Sequence, residues 1–336
     1  MDWNRSYSSS WRIFRVNRKT WADGELITNI DSASVTRTAD GSLLETGNMR
    51  ATGDFEPDYY RIVLTAQQGG DVERVDVATL LFAAEKGEYD YGTTQHNVNG
   101  RSVLYPASTT AVVTGGYAPQ GADGVQYCRE LLEDTINAPV ETEGGFVLSD
   151  HIVHQLGSSV LDAVWDVLDA GNYVMQIDGR GVVHILPKPT EPSLVIENAS
   201  RGMLENGIDY DMSMSEIPNR YIVIEDNNIT IATNDREGSP VSTINRGYAV
   251  DEVDTSPVLI DGETMSEYAL RRLMEESVVK DSRTYQREYA PNVNLYSIIR
   301  ASLYGLEGDL RVKSQAITCE HGISLKEKAE REISVW

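Results

Sequence analysis

Long apolar runs are missing from this sequence. No stretch reaches the roughly 18 consecutive apolar residues that a membrane-spanning helix needs, and the start, Met1 to Ser10, is polar, with no apolar run to serve as a secretion signal. A soluble chain made in a cytoplasm is expected, with no membrane insertion. Cysteine is nearly absent. Cys128 and Cys319 are too few and too far apart for the disulfide framework of a small secreted scaffold, and both are expected to be core thiols. Basic side chains are short as well: 29 Lys and Arg against 52 Asp and Glu leave a formal charge of −23. Phosphate neutralisation is therefore not a general property of this surface, and nucleic-acid binding is disfavoured. The same acidity suits a surface past which DNA slides without sticking. Phenylalanine is scarce (4, against 17 Tyr), which favours half-buried sheets and subunit contacts, where a ring buries area and its hydroxyl stays hydrogen-bonded.

With 336 residues, 40% of them hydrophobic, the chain has material for two or three domains. Trp11 to Val16 and Leu26 to Thr38 alternate like strands around the turn signal Ala22-Asp23-Gly24. Tyr59 to Thr65 and Val75 to Ala84 do so around Gln68-Gly69-Gly70-Asp71, and a closing strand is expected near Arg101 to Tyr105, before Pro106. Residues 1–108 thus read as a small β-barrel or sandwich. Helical periodicity first appears after Gly115-Gly116-Tyr117-Ala118-Pro119, at Val125, Cys128, Leu131, Leu132 and Thr135. It returns at Val160, Leu161, Val164, Trp165 and Leu168, with Ser158 as N-cap, Gly171 as stop and Trp165 in the core. A hairpin follows, Tyr173 to Asp178 and Val182 to Leu186 around Gly179-Arg180-Gly181. Residues 109–192 form an α+β unit ended by the linker Pro187 to Pro192. Residues 193–336 return to β: a hairpin at Tyr221 to Glu225 and Ile229 to Thr233 around Asp226-Asn227-Asn228, then a helix opened by the Thr264/Glu267 capping box and running to about Val279. Strands follow at Tyr285 to Tyr289, Ser297 to Leu303 and Leu310 to Cys319. The fold class is α+β, mainly β.

Candidate chemistry is thin. His151-x-x-His154 puts two imidazoles on one face if the segment is helical, with His184 as a third metal ligand, but structural zinc wants four ligands and no cysteine lies nearby. Gly157-Ser158-Ser159-Val160 lacks the second glycine of a nucleophile elbow, and a helix cap explains it. Asp209-Tyr210-Asp211 and Asp251-Glu252-Val253-Asp254 lack the alternation, glycine and terminal glutamate of a calcium loop. Gly69-Gly70, Gly115-Gly116 and Gly144-Gly145 lack phosphate-loop spacing and read as turns. No catalytic, cofactor-binding or metal-ligating residue is assigned, and no enzyme is expected.

The order of these motifs resembles the hub family of phage tails, the group of baseplate hubs, late-control protein D-like proteins and tail-associated hubs. The likeness lies in Gly115 to Gly121 with the helix at Val125 to Leu132, in Gly157 to Trp165 with the hairpin Tyr173 to Leu186, and in Ile217 to Val223, the helix around Tyr268 to Ser277, and Gly305 to Ser314. The resemblance implies two tail-tube-like β-barrel domains flanking the α+β domain, and a homotrimeric ring that adapts a hexameric tail tube to a central spike or tip. Its implied partners are a tail tube or distal tail protein, a spike or tip protein and the tape-measure protein, with DNA passing through a neutral to acidic lumen without specific binding. The implied location is the virion tail, at the baseplate or tip, after assembly in the host cytoplasm. Because the chain ends at Trp336, any spike, peptidase or lytic activity is expected on a separate partner. The competing readings are a tail-associated receptor-binding adaptor and a tail-associated cell-wall hydrolase.

Overall fold

The computed structural model describes residues 1–3, 5–39, 41–90, 93–113, 116–197, 204–225, 228–255, 264–303 and 305–336. The chain opens with β1 (Ser8–Val16), β2 (Asp23–Ile27), β3 (Ile30–Thr38), β4 (Glu45–Thr52), β5 (Asp58–Gln68), β6 (Asp71–Asp90) and β7 (Thr93–Arg101). Next come α1 (Tyr105–Thr109), β8 (Tyr117–Ala118), α2 (Gly124–Glu133), β9 (Val140–Thr142), β10 (Ile152–Val153), α3 (Val160–Gly171), β11 (Tyr173–Ile177) and β12 (Val183–Pro187). The remainder holds β13 (Pro192–Ile196), β14 (Leu204–Asp211), β15 (Arg220–Glu225), β16 (Asn228–Thr233), α4 (Thr243–Arg246), β17 (Asp251–Asp254), α5 (Met265–Glu276), β18 (Val278–Arg287), β19 (Ile298–Leu303), β20 (Leu306–Cys319) and β21 (Ile323–Ser334). Half of the chain is strand and 14% helix, the mainly β class expected. Two compact units emerge, Met1–Ile208 with Thr284–Ala329, and Asp209–Arg283 with Glu330–Trp336.

The first unit is built on a 13-stranded sheet in the order β14-β18-β21-β20-β3-β4-β7-β6-β5-β1-β2, with β19 beside β20 and β13 beside β19. This corrects the expectation of two β-barrels. Among the described residues the path is open, and the first and last β segments share one sheet because Ser314–Cys319 of β20 pairs with Thr38–Ala33 of β3. Fourteen residues make β20 long enough for both roles: Ile298–Leu303 of β19 pairs with Arg311–Leu306 in its first half. The buried face changes along it. Leu306, Leu310 and Val312 enter a core with Ile196 and Ile299, whereas Ile317 and Cys319 enter the core of Ile62, Leu80 and Phe82. Even positions face one core and odd positions the other, so the two cores lie on opposite faces of this strand, and the covered face changes near Lys313–Ser314.

A third core in this unit joins α2 and α3 to the hairpin β11–β12, through Cys128, Leu132, Leu161, Val164, Leu168, Met175 and Ile185. Both cysteines are free and buried, and burial pushes each thiol up to about 12. Local expectations need three corrections. The closing strand ends at Arg101, and Tyr105–Thr109 is a helix with Pro106 in its first turn, where the missing N–H costs nothing. The cap of α3 is Ser159, whose hydroxyl accepts from the Asp162 amide while the Asp162 carboxylate accepts from the Ser159 amide; the stop is Asn172 in the left-handed region at φ 55°. Leu26 to Thr38 is two strands rather than one.

In the second unit a three-stranded sheet, β16-β15-β17, packs Tyr221 and Val223 under Tyr268, Ala269 and Leu273 of α5. The expected capping box opens α5: the Thr264 hydroxyl accepts from the Glu267 amide, and the Glu267 carboxylate accepts from the Thr264 amide. The hairpin β15–β16 forms as expected over six register pairs, Arg220↔Thr233 to Glu225↔Asn228; its turn residues Asp226 and Asn227 lie outside the described residues.

Candidate functional site

The histidines do not converge. His151 and His154 flank β10 rather than riding on a helix, and in extended backbone a three-residue spacing sends side chains to opposite faces. His151 is exposed, with Nδ1 2.8 Å from Asp150 Oδ1. His154 is buried, its ring stacked on Tyr127 at a centroid separation of 5.8 Å and its Nε2 2.9 Å from the Tyr127 hydroxyl. Burial lowers its pKa. Among the described residues, no three His, Cys, Asp or Glu side chains are grouped to hold a metal ion.

His184 has a different setting. It lies in β12 between Gln176 of β11 and Glu141 of β9, with Nε2 3.3 Å from Asp178 Oδ2 and Nδ1 3.6 Å from Glu141 Oε2. The Asp178 hydrogen bond raises its pKa, burial opposes, and the charges of Asp178, Glu141 and Glu143 add to the rise. A raised imidazole stabilises the fold fully below its unfolded value, about 6.5, and loses that contribution as pH climbs through the folded value. His184→Gln is therefore expected to lie below wild type by up to about 1 kcal/mol below about pH 6.5, and to converge on it as pH rises through the folded value, in urea denaturation. A pH-independent gap would exclude titration of His184 as the cause.

The acidic clusters are engaged structurally. Asp251 receives Arg220 in a bidentate pair at 2.6 Å on both arms, and Asp254 accepts from the hydroxyls of Tyr268 (2.6 Å) and Tyr221 (3.3 Å). Asp209 to Asp211 closes β14. Ser158 donates its hydroxyl to the Gln155 carbonyl. Of the glycine pairs, Gly69-Gly70 forms the expected turn, with Gly69 at φ 61°; Gly144 is left-handed at φ 69° but lies in irregular chain rather than a turn, and Gly115 lies outside the described residues.

The chain does build two buried polar knots in the first unit. Arg61 donates from Nε to Thr79 Oγ1, from Nη1 to Asp23 Oδ1 at 2.6 Å, and from Nη2 to the carbonyls of Trp21 and Arg180. The Trp21 indole N–H donates to the same Arg180 carbonyl at 2.8 Å, and Thr79 donates to the Gly179 carbonyl at 3.0 Å. The turn between β11 and β12 is thereby fastened to the sheet. A second knot spans β3, β4, β18, β20 and β21. Arg37 donates to Glu45 at 2.6 Å, to the Val77 carbonyl at 2.6 Å and to Gln315 at 3.4 Å. Gln315 donates to Glu327, which also receives Arg287 on both oxygens (2.9 and 2.8 Å) and the Tyr285 hydroxyl (2.7 Å). Arg37, Glu45, Arg287, Gln315 and Glu327 are all buried. Burial drives the Tyr285 phenol well above its ordinary range, and it pushes the Glu45 carboxyl up against the opposing pull of Arg37. Sequence reasoning missed both knots. The available signal was the alternation Ala33-Val35-Arg37, which puts an arginine on the inward face.

Trp165 departs from its expected core position. It is half-buried, packs at the margin of the core that holds Leu161, Val164 and Leu168, and donates its indole N–H to the Ser42 carbonyl at 3.1 Å. It lines an open cavity of about 420 Å³ with Tyr173, Tyr296, Lys188 and Lys313. Trp165→Ala is expected to cost about 1–2 kcal/mol in chemical denaturation, below the 3–5 kcal/mol of a fully buried tryptophan.

No family model and no curated protein matches the sequence. Solved structures do match. A tail protein from Neisseria meningitidis MC58 superposes with a TM-score of 0.67 at 10% identity, covering 97% of each chain. The 43 kDa tail protein of prophage MuSo2 from Shewanella oneidensis gives 0.63 at 12%, over 95% of this chain and 97% of that one. A chain of the Francisella PdpA–VgrG complex gives 0.56 at 7%, over 97% of this chain and 58% of that one. At such identities the likeness is one of fold, and over nearly its whole length this chain has the fold of bacterial and prophage tail proteins.

Proposed function

We propose that the chain is a non-enzymatic structural hub of a phage or phage-like tail, a homotrimeric adaptor between a hexameric tail tube and a central spike or tip. The observation that carries this reading is whole-length likeness to tail proteins, 97% of this chain against 97% of the Neisseria meningitidis protein. In this reading the β segments 1–108 and 193–336, which contribute to one sheet, are the two tube-type elements that flank the α+β segment 109–192. A trimer then offers six such β segments to a six-fold ring, a closed symmetric assembly. Its partners are the tube or distal tail protein, the tape-measure protein and a separate spike or tip protein, the last in keeping with the VgrG complex among the similar structures. The site of action is the virion tail, reached after assembly in the host cytoplasm. The charge of −23 fits a lumen that passes DNA without holding it.

Native mass measurement tests the assembly. Three 37.2 kDa chains give a species of about 112 kDa, and a chain that stays monomeric at high concentration sinks the adaptor reading. Titration with labelled duplex tests the conduit: at physiological salt, affinity weaker than the roughly 10⁻⁴ M edge of ordinary non-specific binding is expected. Micromolar, salt-sensitive binding would contradict it.

A further inference from the structure

The second unit combines two surface features that rarely coincide. Its 82 residues carry ten of the eighteen large apolar side chains exposed among the described residues. They also hold eighteen acidic against eight basic side chains, a net charge of −10, whereas the other 254 residues carry −13. Dense charge keeps a surface soluble, so apolar exposure within it marks a place where something binds.

The sheet β16-β15-β17 shows where. Its inner face is covered by α5. On the outer face the register sets Ile231, Ile222 and Val253 in one cross-strand row, with Ile229 beside Ile224 in the next. Ile229, Ile231 and Val253 are 63%, 52% and 51% exposed. The two edges differ. β17 carries Asp251, Glu252 and Asp254, charges that guard a strand edge against pairing. β16 reads Asn-Ile-Thr-Ile-Ala-Thr, without charge or proline, in unbroken register with β15, its one strand partner among the described residues. An edge of that kind is a template for another strand.

We infer that β16 is an acceptor edge to which a partner protein adds an extended strand, β-branched and uncharged where it pairs and rich in Lys or Arg on its flanks. Main-chain hydrogen bonds supply the pairing, alternate Val or Ile side chains prolong the apolar row, and the cationic flanks complement the unit's net −10. A second copy of this chain is a poor occupant: β16-to-β16 pairing brings two acidic units within about one Debye length, roughly 8–10 Å at moderate salt. The inference is independent of the tail reading, since it uses only this unit's charge, register and exposure.

The test uses the full chain and two labelled peptides with one core, Thr-Val-Thr-Val-Thr, flanked on both sides by two lysines or by two glutamates. Fluorescence anisotropy is expected to show the lysine peptide binding at least about tenfold tighter, with affinity falling as salt rises. Amide exchange should slow at residues 228–233. Ile231→Lys is expected to weaken binding about tenfold, while Leu270→Lys, the same charge change on the exposed side of α5, leaves it unaltered. Equal binding of the two peptides, no binding up to millimolar concentration, or protection elsewhere overturns the inference. Concentration-dependent dimerisation abolished by Ile231→Lys also overturns it, because the edge then belongs to a second copy.

Discussion

Gly179→Ala is expected to destabilise the first unit by about 3–5 kcal/mol, an unusually large effect for adding one methyl group. A Cβ at this glycine would stand 1.7 Å from the Asp76 carbonyl oxygen, 2.2 Å from its carbon and 2.9 Å from the Val77 nitrogen. All three are backbone atoms of β6, where Asp76 and Ala78 pair with Val63 and Ile62 of β5, so no rotamer change relieves the overlap. The turn must lift instead. Lifting it breaks the Arg61 and Trp21 bonds to the Arg180 carbonyl and the Thr79 bond to the Gly179 carbonyl, leaving a buried guanidinium short of acceptors. Gly69→Ala is the control. It sits in a turn at φ 61° with nothing within 4 Å of its Cβ, and should cost only the left-handed penalty of about 1–2 kcal/mol. Denaturant unfolding monitored by tryptophan fluorescence distinguishes the two. Equal losses would mean that the hairpin is not clamped to the sheet.

What was legible in the sequence was local. The hairpin at Gln68 to Asp71, the amphipathic α2 and α3, the β11–β12 hairpin and the Thr264/Glu267 box each carry their signal within a dozen residues, and each formed. Non-local pairing was hidden. Alternation tells which face of β3 or β20 is buried but not which strand lies beside it, and their residues are more than 270 positions apart. Two β segments were therefore read as two closed barrels, where the chain runs one open sheet between them. His151 and His154 misled for a related reason: a spacing of three brings side chains together only on a helix, and β10 is extended. Trp165 fits the helical period of its neighbours and packs against their core, yet its ring stays half-buried, with the indole N–H on the Ser42 carbonyl.

The polar knots were hidden because a charged residue in a strand ordinarily reads as a solvent-facing position. Both knots use arginine, whose planar fork binds several oxygens at once and keeps its charge when buried. Their placement is informative. One fastens the α+β hairpin to the sheet, and the other ties β3 and β4 to β18, β20 and β21. Joints of this kind resist shear, since hydrogen-bonded ion pairs lose their energy with small displacements whereas apolar contacts tolerate sliding.

Replacing one partner of the second knot should expose how much depends on it. Glu327→Leu removes the acceptor for both arms of Arg287, for the Tyr285 hydroxyl and for one Gln315 N–H, in a position that water does not reach. The expected loss is about 3–5 kcal/mol, most of it the cost of a buried arginine without its counter-charge. If that is the cause, removing the arginine too should restore stability: Arg287→Met with Glu327→Leu is expected to recover more than about 2 kcal/mol of the loss, because an apolar pair of similar volume carries no desolvation cost. Arg300 and Asp309 supply the comparison, with the same bidentate geometry at 2.7 and 2.8 Å but both side chains about half exposed, and Asp309→Asn should scarcely move the denaturation midpoint. Chemical denaturation of the four chains, followed by a double-mutant cycle on Arg287 and Glu327, reads the coupling directly. A coupling near zero, or a double variant no better than Glu327→Leu, would mean that the knot fixes geometry without carrying stability.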